Sequence, residues 1–165
     1  MAKLIVLSGI PGSGKSYLCS LMKKIKKSHV YIISSDALRN QITGDQADLS
    51  KDNIMWRMFY ELPKIYSSDP EALVLLDATH ALIKYRTDAI KHLIPLFDEV
   101  SLVMFNLEKK IVDNQNVERE HPVSQSILDY FYQTFEGVSE KDKEFFAHIY
   151  VIKNKDELAC LIDRI

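Results

Sequence analysis

Cysteine is nearly absent: Cys19 and Cys160 are the two in 165 residues. They are too few and too far apart for a disulfide scaffold, and without a C-x-x-C pair they offer no zinc motif. A reduced, cytoplasmic setting is the expectation. Five glycines and five prolines exclude collagen-like and low-complexity chains. Hydrophobic residues at 47% and charged residues at 27% are ordinary globular values, which argues against disorder and against a membrane partner. The N-terminal apolar run Leu4 to Leu7 is broken at once by Ser8-Gly9, so it reads as a strand and not as a signal sequence. Acids are missing from residues 1–35, which carry six lysines; against a formal net charge of −2, the remainder therefore sums to −8. An electropositive N-terminal pole suits an anionic ligand, although Lys23 to Lys27 would equally complement a helix C-terminus. The near-neutral total argues against a broad nucleic-acid-coating surface.

At about one domain per ~150 residues, residues 1–165 are expected to form a single domain. Short apolar runs at Leu4–Leu7, Val30–Ile33, Leu73–Leu76, Leu102–Phe105 and Ile149–Ile152 predict five strands. Their lack of strict alternation is what a parallel sheet covered on both faces produces. Helical stretches lie between them. Ser16–Lys27 follows the first strand. Ser50–Tyr66 places Ile54, Met58, Leu62 and Ile65 on one stripe, with a kink expected at Pro63. Lys84–Phe97 packs Ala89, Ile90, Leu93 and Ile94. Ser124 is suited to cap a helix carrying Ile127, Leu128, Phe131, Tyr132 and Phe135, with Val123 stapled onto Leu128. That aromatic stripe shares its face with aliphatics and reads as core. Asp156–Ile165 closes the chain. The alternation implies a doubly wound α/β fold with right-handed crossovers.

Three of the five glycines fall within six residues. Gly9-Ile10-Pro11-Gly12-Ser13-Gly14-Lys15-Ser16 fits G-x-x-x-x-G-K-S/T at every fixed position, between an apolar strand and a helix. Gly12 and Gly14 admit backbone dihedrals that a Cβ would forbid, so successive N–H groups can cradle phosphate oxygens at the helix N-terminus. Gly9, Gly12, Ser13, Gly14, Lys15 and Ser16 are thus the nucleotide-binding candidates. Lys15 would reach the β- and γ-phosphates of ATP, and the Ser16 hydroxyl would ligate Mg²⁺. No N-K-x-D base-reading motif is present, which argues against a GTPase, and large motor ATPases need more chain; a small-acceptor kinase fits the length.

In an open α/β sheet, ligands sit beyond the carboxyl ends of the strands. After strand two comes Ser34-Ser35-Asp36-Ala37-Leu38-Arg39. A helix starting at Asp36 sets Asp36 and Arg39 on one face as an i, i+3 pair. Asp36 could take the proton of an acceptor hydroxyl, and Arg39 could grip an acceptor phosphate. Alternatively Asp36 only caps the helix and Arg39 pairs with it at the surface. Strand three ends in Leu75-Leu76-Asp77, an apolar run closed by an acid. Asp77 could hold Mg²⁺ through water or orient Ser16, or it could simply start a turn.

G-I-P-G-S-G-K-S at 9–16, I-S-S-D-A-L-R at 33–39, G-D at 44–45 and L-L-D-A-T-H at 75–80 together resemble the kinase domain of polynucleotide 5′-hydroxyl kinases of the bacterial repair and bacteriophage types, within the wider group of small P-loop kinases. The likeness runs loosely over nearly the whole chain. It implies a P-loop NTPase fold with sheet order 2-3-1-4-5, helices on both faces and a helical lid at about 108–123. It also implies Asp36 as general base, Arg39 on the acceptor's 3′-phosphate, Arg119 as the lid arginine over the transferred group, and an adenine site near Lys153 and Asn154. Where the family has D-A-T-N, this chain has His80, a candidate substrate-binding residue, either as a hydrogen-bonding substitute or as the mark of another acceptor. The expected activity is transfer of the γ-phosphoryl of Mg·ATP to an acceptor hydroxyl, a polynucleotide 5′-OH by the resemblance. The competing readings are a small-molecule kinase acting on a nucleoside, sugar acid or antibiotic hydroxyl, and a non-catalytic ATP-binding regulatory module.

Overall fold

The computed structural model describes residues 1–26 and 28–165. They form five strands, β1 (Lys3–Ser8), β2 (Val30–Ser34), β3 (Leu73–Asp77), β4 (Glu99–Phe105) and β5 (His148–Ile152), in one sheet of order β2-β3-β1-β4-β5. All four pairings are parallel. The order that the resemblance implied is the order found.

The uniform apolarity of the strands has a direct cause. In β1, Leu4 and Val6 enter one core while Ile5 and Leu7 enter another on the opposite face; in β3, Val74 and Leu76 are separated from Leu73 and Leu75 in the same way. A period of two is present but hidden, because both faces are buried. One face is covered by α2 (Ser35–Thr43), α3 (Asp52–Tyr66) and the segment around Ile90 and Leu93, and the other by α1 (Lys15–Lys26) and α8 (Lys155–Ile162). A third, smaller cluster of Ile10, Val112 and Leu128 joins the phosphate loop to α5 (Lys109–Val117) and α6 (Gln125–Thr134).

Local chemistry accounts for most helix ends. Ser34 Oγ accepts from the Ala37 amide to cap α2, which stops at Gly44 with φ 83°. Ser124 caps α6 as expected, and Val123 packs with Leu128 in the third cluster. Lys23, Lys24 and Lys26 occupy the last turn of α1. Their place there fits the helix-terminus reading, while the hydrogen bonds they make go elsewhere: Lys23 Nζ donates to the Val30 carbonyl of β2 at 2.6 Å and Lys26 Nζ donates to Ile165 O. Lys27, the expected end of that helix, lies outside the described residues.

Two expectations need correction. Lys84–Phe97 is not one helix: a single turn, α4 (Ile83–Arg86), ends where Thr87 Oγ1 bonds back to Ile83 O, and a 3-10 segment follows at Lys91–Leu96. Pro95 lacks the N–H that a continued α-helix would require. Ile90 and Leu93 are nonetheless fully buried. In α3 the buried line is Met55, Phe59 and Pro63, one position from the stripe read in the sequence; Ile54 and Ile65 are exposed. Met55 and Phe59 are both fully buried in the core on this face of the sheet. Pro63 sits within α3, which runs through to Tyr66. Finally, α7 (Glu140–Phe145), held by a Ser139–Asp142 capping box, had no expectation attached to it. No helix among the described residues is long and apolar enough to cross a membrane.

Candidate active site

β1 delivers the chain to a loop that turns at Gly12 (φ 81°) and Gly14 (φ 106°), a region of backbone space that favours glycine. At Gly12 the requirement is the dihedral alone, since a Cβ there would meet the Val112 carbonyl of α5 at an ordinary 3.4 Å. The loop runs into the N-terminus of α1, whose first amides have no intrahelical partner and carry the positive end of the helix dipole. Among the described residues, the buried Ser13 Oγ has no hydrogen-bond partner, as expected of a group facing a ligand's oxygens.

Lys15 is buried and curls over the loop, its Nζ donating to Gly9 O at 2.8 Å and Ile10 O at 3.0 Å. Burial lowers its pKa to about 8; Asp77 and Asp36 favour the ammonium, and Arg119 opposes it. Ser16 Oγ donates to Asp77 Oδ2 at 2.7 Å, so the strand-end acid does orient the loop serine. Asp77 itself is buried, which raises its pKa, while Lys15 and the Ser16 hydroxyl pull the other way. A hydroxyl and a carboxylate held side by side beneath a phosphate cradle are a donor set that fits Mg²⁺.

Beside this loop lies a crevice of about 450 Å³ lined by Ser16, Ser34, Asp36, Asn40, Arg119 and His121, among others. Asp36 presents a half-exposed carboxylate from the first turn of α2. Arg119 comes from the opposite wall. Val112, Gln115 and Asn116 fall at i, i+3 and i+4 on one face of α5, and Arg119 follows in the loop just past its end. Gln115 Oε1 and Arg119 Nη1 are buried and without partners among the described residues. The Asn116 amide donates to Val123 O at 2.8 Å and accepts from Val123 N at 3.0 Å, clamping the ends of the loop that carries Arg119. Only the arginine of this arrangement was visible beforehand; an amide that closes a loop on itself has no signature in composition or period.

Two candidates are not where the sequence reading put them. Arg39 is buried, and its fork is engaged by Asp52, the first residue of α3, with Nε to Oδ1 at 2.7 Å and Nη2 to Oδ2 at 3.3 Å. Nη1 donates to Asp36 Oδ1 and to Gln46 O, both at 3.1 Å. The pair with Asp36 exists, yet the guanidinium does not face the crevice as a free grip. His80 does not line the crevice at all. It is buried at φ 41°, with its Nδ1 2.7 Å from the Leu7 carbonyl and its Nε2 unpartnered among the described residues. Burial, with Lys15 and Arg86 nearby, lowers its pKa to about 4, against the pull of the Leu7 carbonyl.

The loop after β3 is clamped from outside. Ser8 Oγ donates to His80 O, and the Gly9 amide to Thr79 O. Arg86, fully buried, bonds both oxygens of Asp142 at 2.8 and 3.0 Å and reaches the carbonyls of His80, Ala81 and Gly137. This ion pair joins residues 56 apart and escaped the sequence reading. Lys153 and Asn154 lie just past β5, where Asn154 Oδ1 caps α8 by accepting from the Glu157 amide.

Residues 4–138 match the AAA domain family AAA_33. No curated protein matches the chain in sequence. Solved structures do match in fold. A fungal RNA kinase superposes with a TM-score of 0.70 at 15% identity, over 99% of this chain and 84% of that one. Kti12 from Chaetomium thermophilum, solved with ADP-AlF3, gives 0.68 at 15% identity, over 98% and 96%. A gluconokinase from Sinorhizobium meliloti 1021 gives 0.60 at 19% identity, over 98% and 94%. At these identities the likeness is one of fold, a P-loop kinase-like fold.

Proposed function

Taking as premise that the chain belongs to the AAA_33 family of AAA domains, we propose that it is an ATP-dependent phosphotransferase that moves the γ-phosphoryl group of Mg·ATP to an acceptor hydroxyl seated against Asp36. The observation that carries this reading is the crevice that Ser16, Asp36 and Arg119 line together. A nucleotide-binding module without an acceptor would have no need of a carboxylate on one wall and a guanidinium on the other.

Each side chain has a role that follows from its position. Gly12, Ser13 and Gly14, with the first amides of α1, bind the phosphates. Lys15, with its pKa lowered to about 8, is still mainly an ammonium near pH 7, and it lies in a water-poor site where its charge is worth more than in solvent. Ser16 and Asp77 would hold Mg²⁺, which when bound neutralises charge on the phosphate oxygens. Asp36 accepts the proton of the attacking hydroxyl as the new P–O bond forms. Arg119 donates to the oxygens of the group in transit; an arginine of this kind is worth ~10³–10⁵ in turnover. Little covalent work is asked of the protein, so placement dominates, and the Asn116–Val123 clamp is part of that placement.

Two acceptors compete. The S-S-D-x-x-R and D-A-T motifs favour a polynucleotide 5′-OH. The capture of Arg39 by Asp52 favours a small hydroxylated molecule instead. Labelled ATP offered with a 5′-hydroxyl oligonucleotide, beside a panel of nucleosides, sugar acids and hydroxylated antibiotics, separates them. Label on the oligonucleotide supports the first, and label on a panel compound the second. Nucleotide binding without label on any acceptor would point to the regulatory module.

A further inference from the structure

The engagement of Arg39 bears on which acceptors the crevice can take, and it rests on the phosphotransferase reading above. Four of the five guanidinium N–H groups are used: two by Asp52, one by Asp36 and one by the Gln46 carbonyl. The Asp52 contact is the bidentate fork, the same two parallel donors that a phosphate would need. Arg39 is 7% exposed, and Asp52 is fixed at the start of a helix anchored by Met55 and Phe59. To grip an acceptor phosphate, the buried guanidinium would have to give up both hydrogen bonds to Asp52, whose carboxylate is 29% exposed, and exchange one bidentate partner for another.

We propose that Asp52 is a specificity-determining residue: by occupying the Arg39 fork it makes Arg39 a positioning residue for Asp36 and leaves the α2 wall without a free guanidinium, so that the acceptor is an alcohol bearing no phosphate beside its reacting hydroxyl. Asp36 then receives one hydrogen bond from a fixed donor, which aims the carboxylate without neutralising it by direct fork pairing. The acceptor is recognised by neutral polar groups such as Ser34 and Asn40, which line the same crevice.

The test compares the whole protein with Asp52→Asn and with the Arg39→Gln/Asp52→Asn double variant, first titrated with Mg²⁺ and a non-hydrolysable ATP analogue. Thymidine, thymidine 3′-monophosphate and inorganic phosphate are then added by calorimetry. The expected result is that Asp52→Asn tightens both phosphate probes about tenfold or more, the value of a charge-assisted grip, and that the double variant loses the gain. Wild type should discriminate little between thymidine and its 3′-monophosphate. The proposal is overturned if wild type already prefers the 3′-monophosphate tenfold or more, or if Asp52→Asn brings no gain that depends on Arg39. Failure of the phosphotransferase reading shows separately, as no label passed from ATP to any compound of the acceptor panel, and the Arg39-dependent difference in phosphate binding is read in either case. Amide and guanidinium exchange supplies a check on folding: the Arg39 Nε–H should exchange slowly in wild type and fast in Asp52→Asn, while core amides stay protected. Slow exchange in both would also overturn the proposal.

Discussion

Acidification from about pH 7 to about pH 4 should weaken the fold through one side chain, His80. With Nδ1 donating to the Leu7 carbonyl, the ring is neutral and a second proton must go on Nε2, which is buried with Lys15 and Arg86 as its charged neighbours. Its folded pKa is about 4, against ~6.5 in an unfolded chain. The unfolded state therefore binds a proton that the native state refuses, and stability falls as the pH drops from ~6.5 towards ~4. Two to three pH units at 1.36 kcal/mol each give about 3 kcal/mol, a large share of a domain's ~5–15 kcal/mol. His29 acts in the opposite sense. The Asp69 hydrogen bond raises its pKa, so its contribution is complete below ~6.5 and is lost as the pH rises through the raised value. It cannot imitate the loss. Urea unfolding at several pH values, for wild type and His80→Asn, isolates the effect. Asparagine tolerates the positive φ at this position, and whatever packing it forfeits is independent of pH. The wild-type curve should fall below pH ~6.5 by about 3 kcal/mol more than the variant curve. Parallel curves would refute the buried, neutral assignment of His80.

Other outcomes follow from the same structure. Asp142→Ala strands the fully buried Arg86, and denaturant unfolding should register a loss of about 3–5 kcal/mol; a change under ~1 kcal/mol would mean that the pair is solvated. Lys15 must be an ammonium to meet phosphate, and with its pKa lowered to about 8, nucleotide affinity should fall as the pH rises above that value, by about tenfold per unit. Calorimetry in buffers of different ionisation enthalpy should show proton uptake there, and a flat affinity would contradict it. Arg119→Ala should lower turnover by ~10³-fold or more with a smaller change in KM, and an unaltered kcat would remove Arg119 from the transferred group.

Much of the fold was legible because it is written locally. Apolar runs of strand length, the serine cap at Ser124 and the glycine spacing at 9–14 each act over a few residues, whereas the α2 cap fell to Ser34 and not to Asp36. The strand order came from resemblance, since no local pattern says which strand lies beside which. In the site, Lys15, Ser16 and Asp77 could be placed because a motif and a strand end bring them together, and Asp36 because it follows β2. Arg39 and His80 could not be placed correctly. Each is bound by a partner distant in the chain, Asp52 in one case and the Leu7 carbonyl in the other, and a side chain's destination depends on which partner the fold delivers. The same holds for Arg86 and Asp142. The α3 register was missed because Ile54 and Ile65 rank high in hydropathy, whereas the face that packs on the sheet is that of Met55 and Phe59.

The central claim is that Asp36 serves chemistry at a nucleotide site. It is tested most directly by single-turnover transfer from labelled ATP to an acceptor found by the panel, with nucleotide affinity measured on the same preparations of wild type and Asp36→Asn. Asparagine keeps the shape but cannot take the proton, and so transfer should fall by ~10²–10⁴-fold while the affinity for Mg·ATP stays within about threefold. Near-normal transfer by Asp36→Asn would contradict the account.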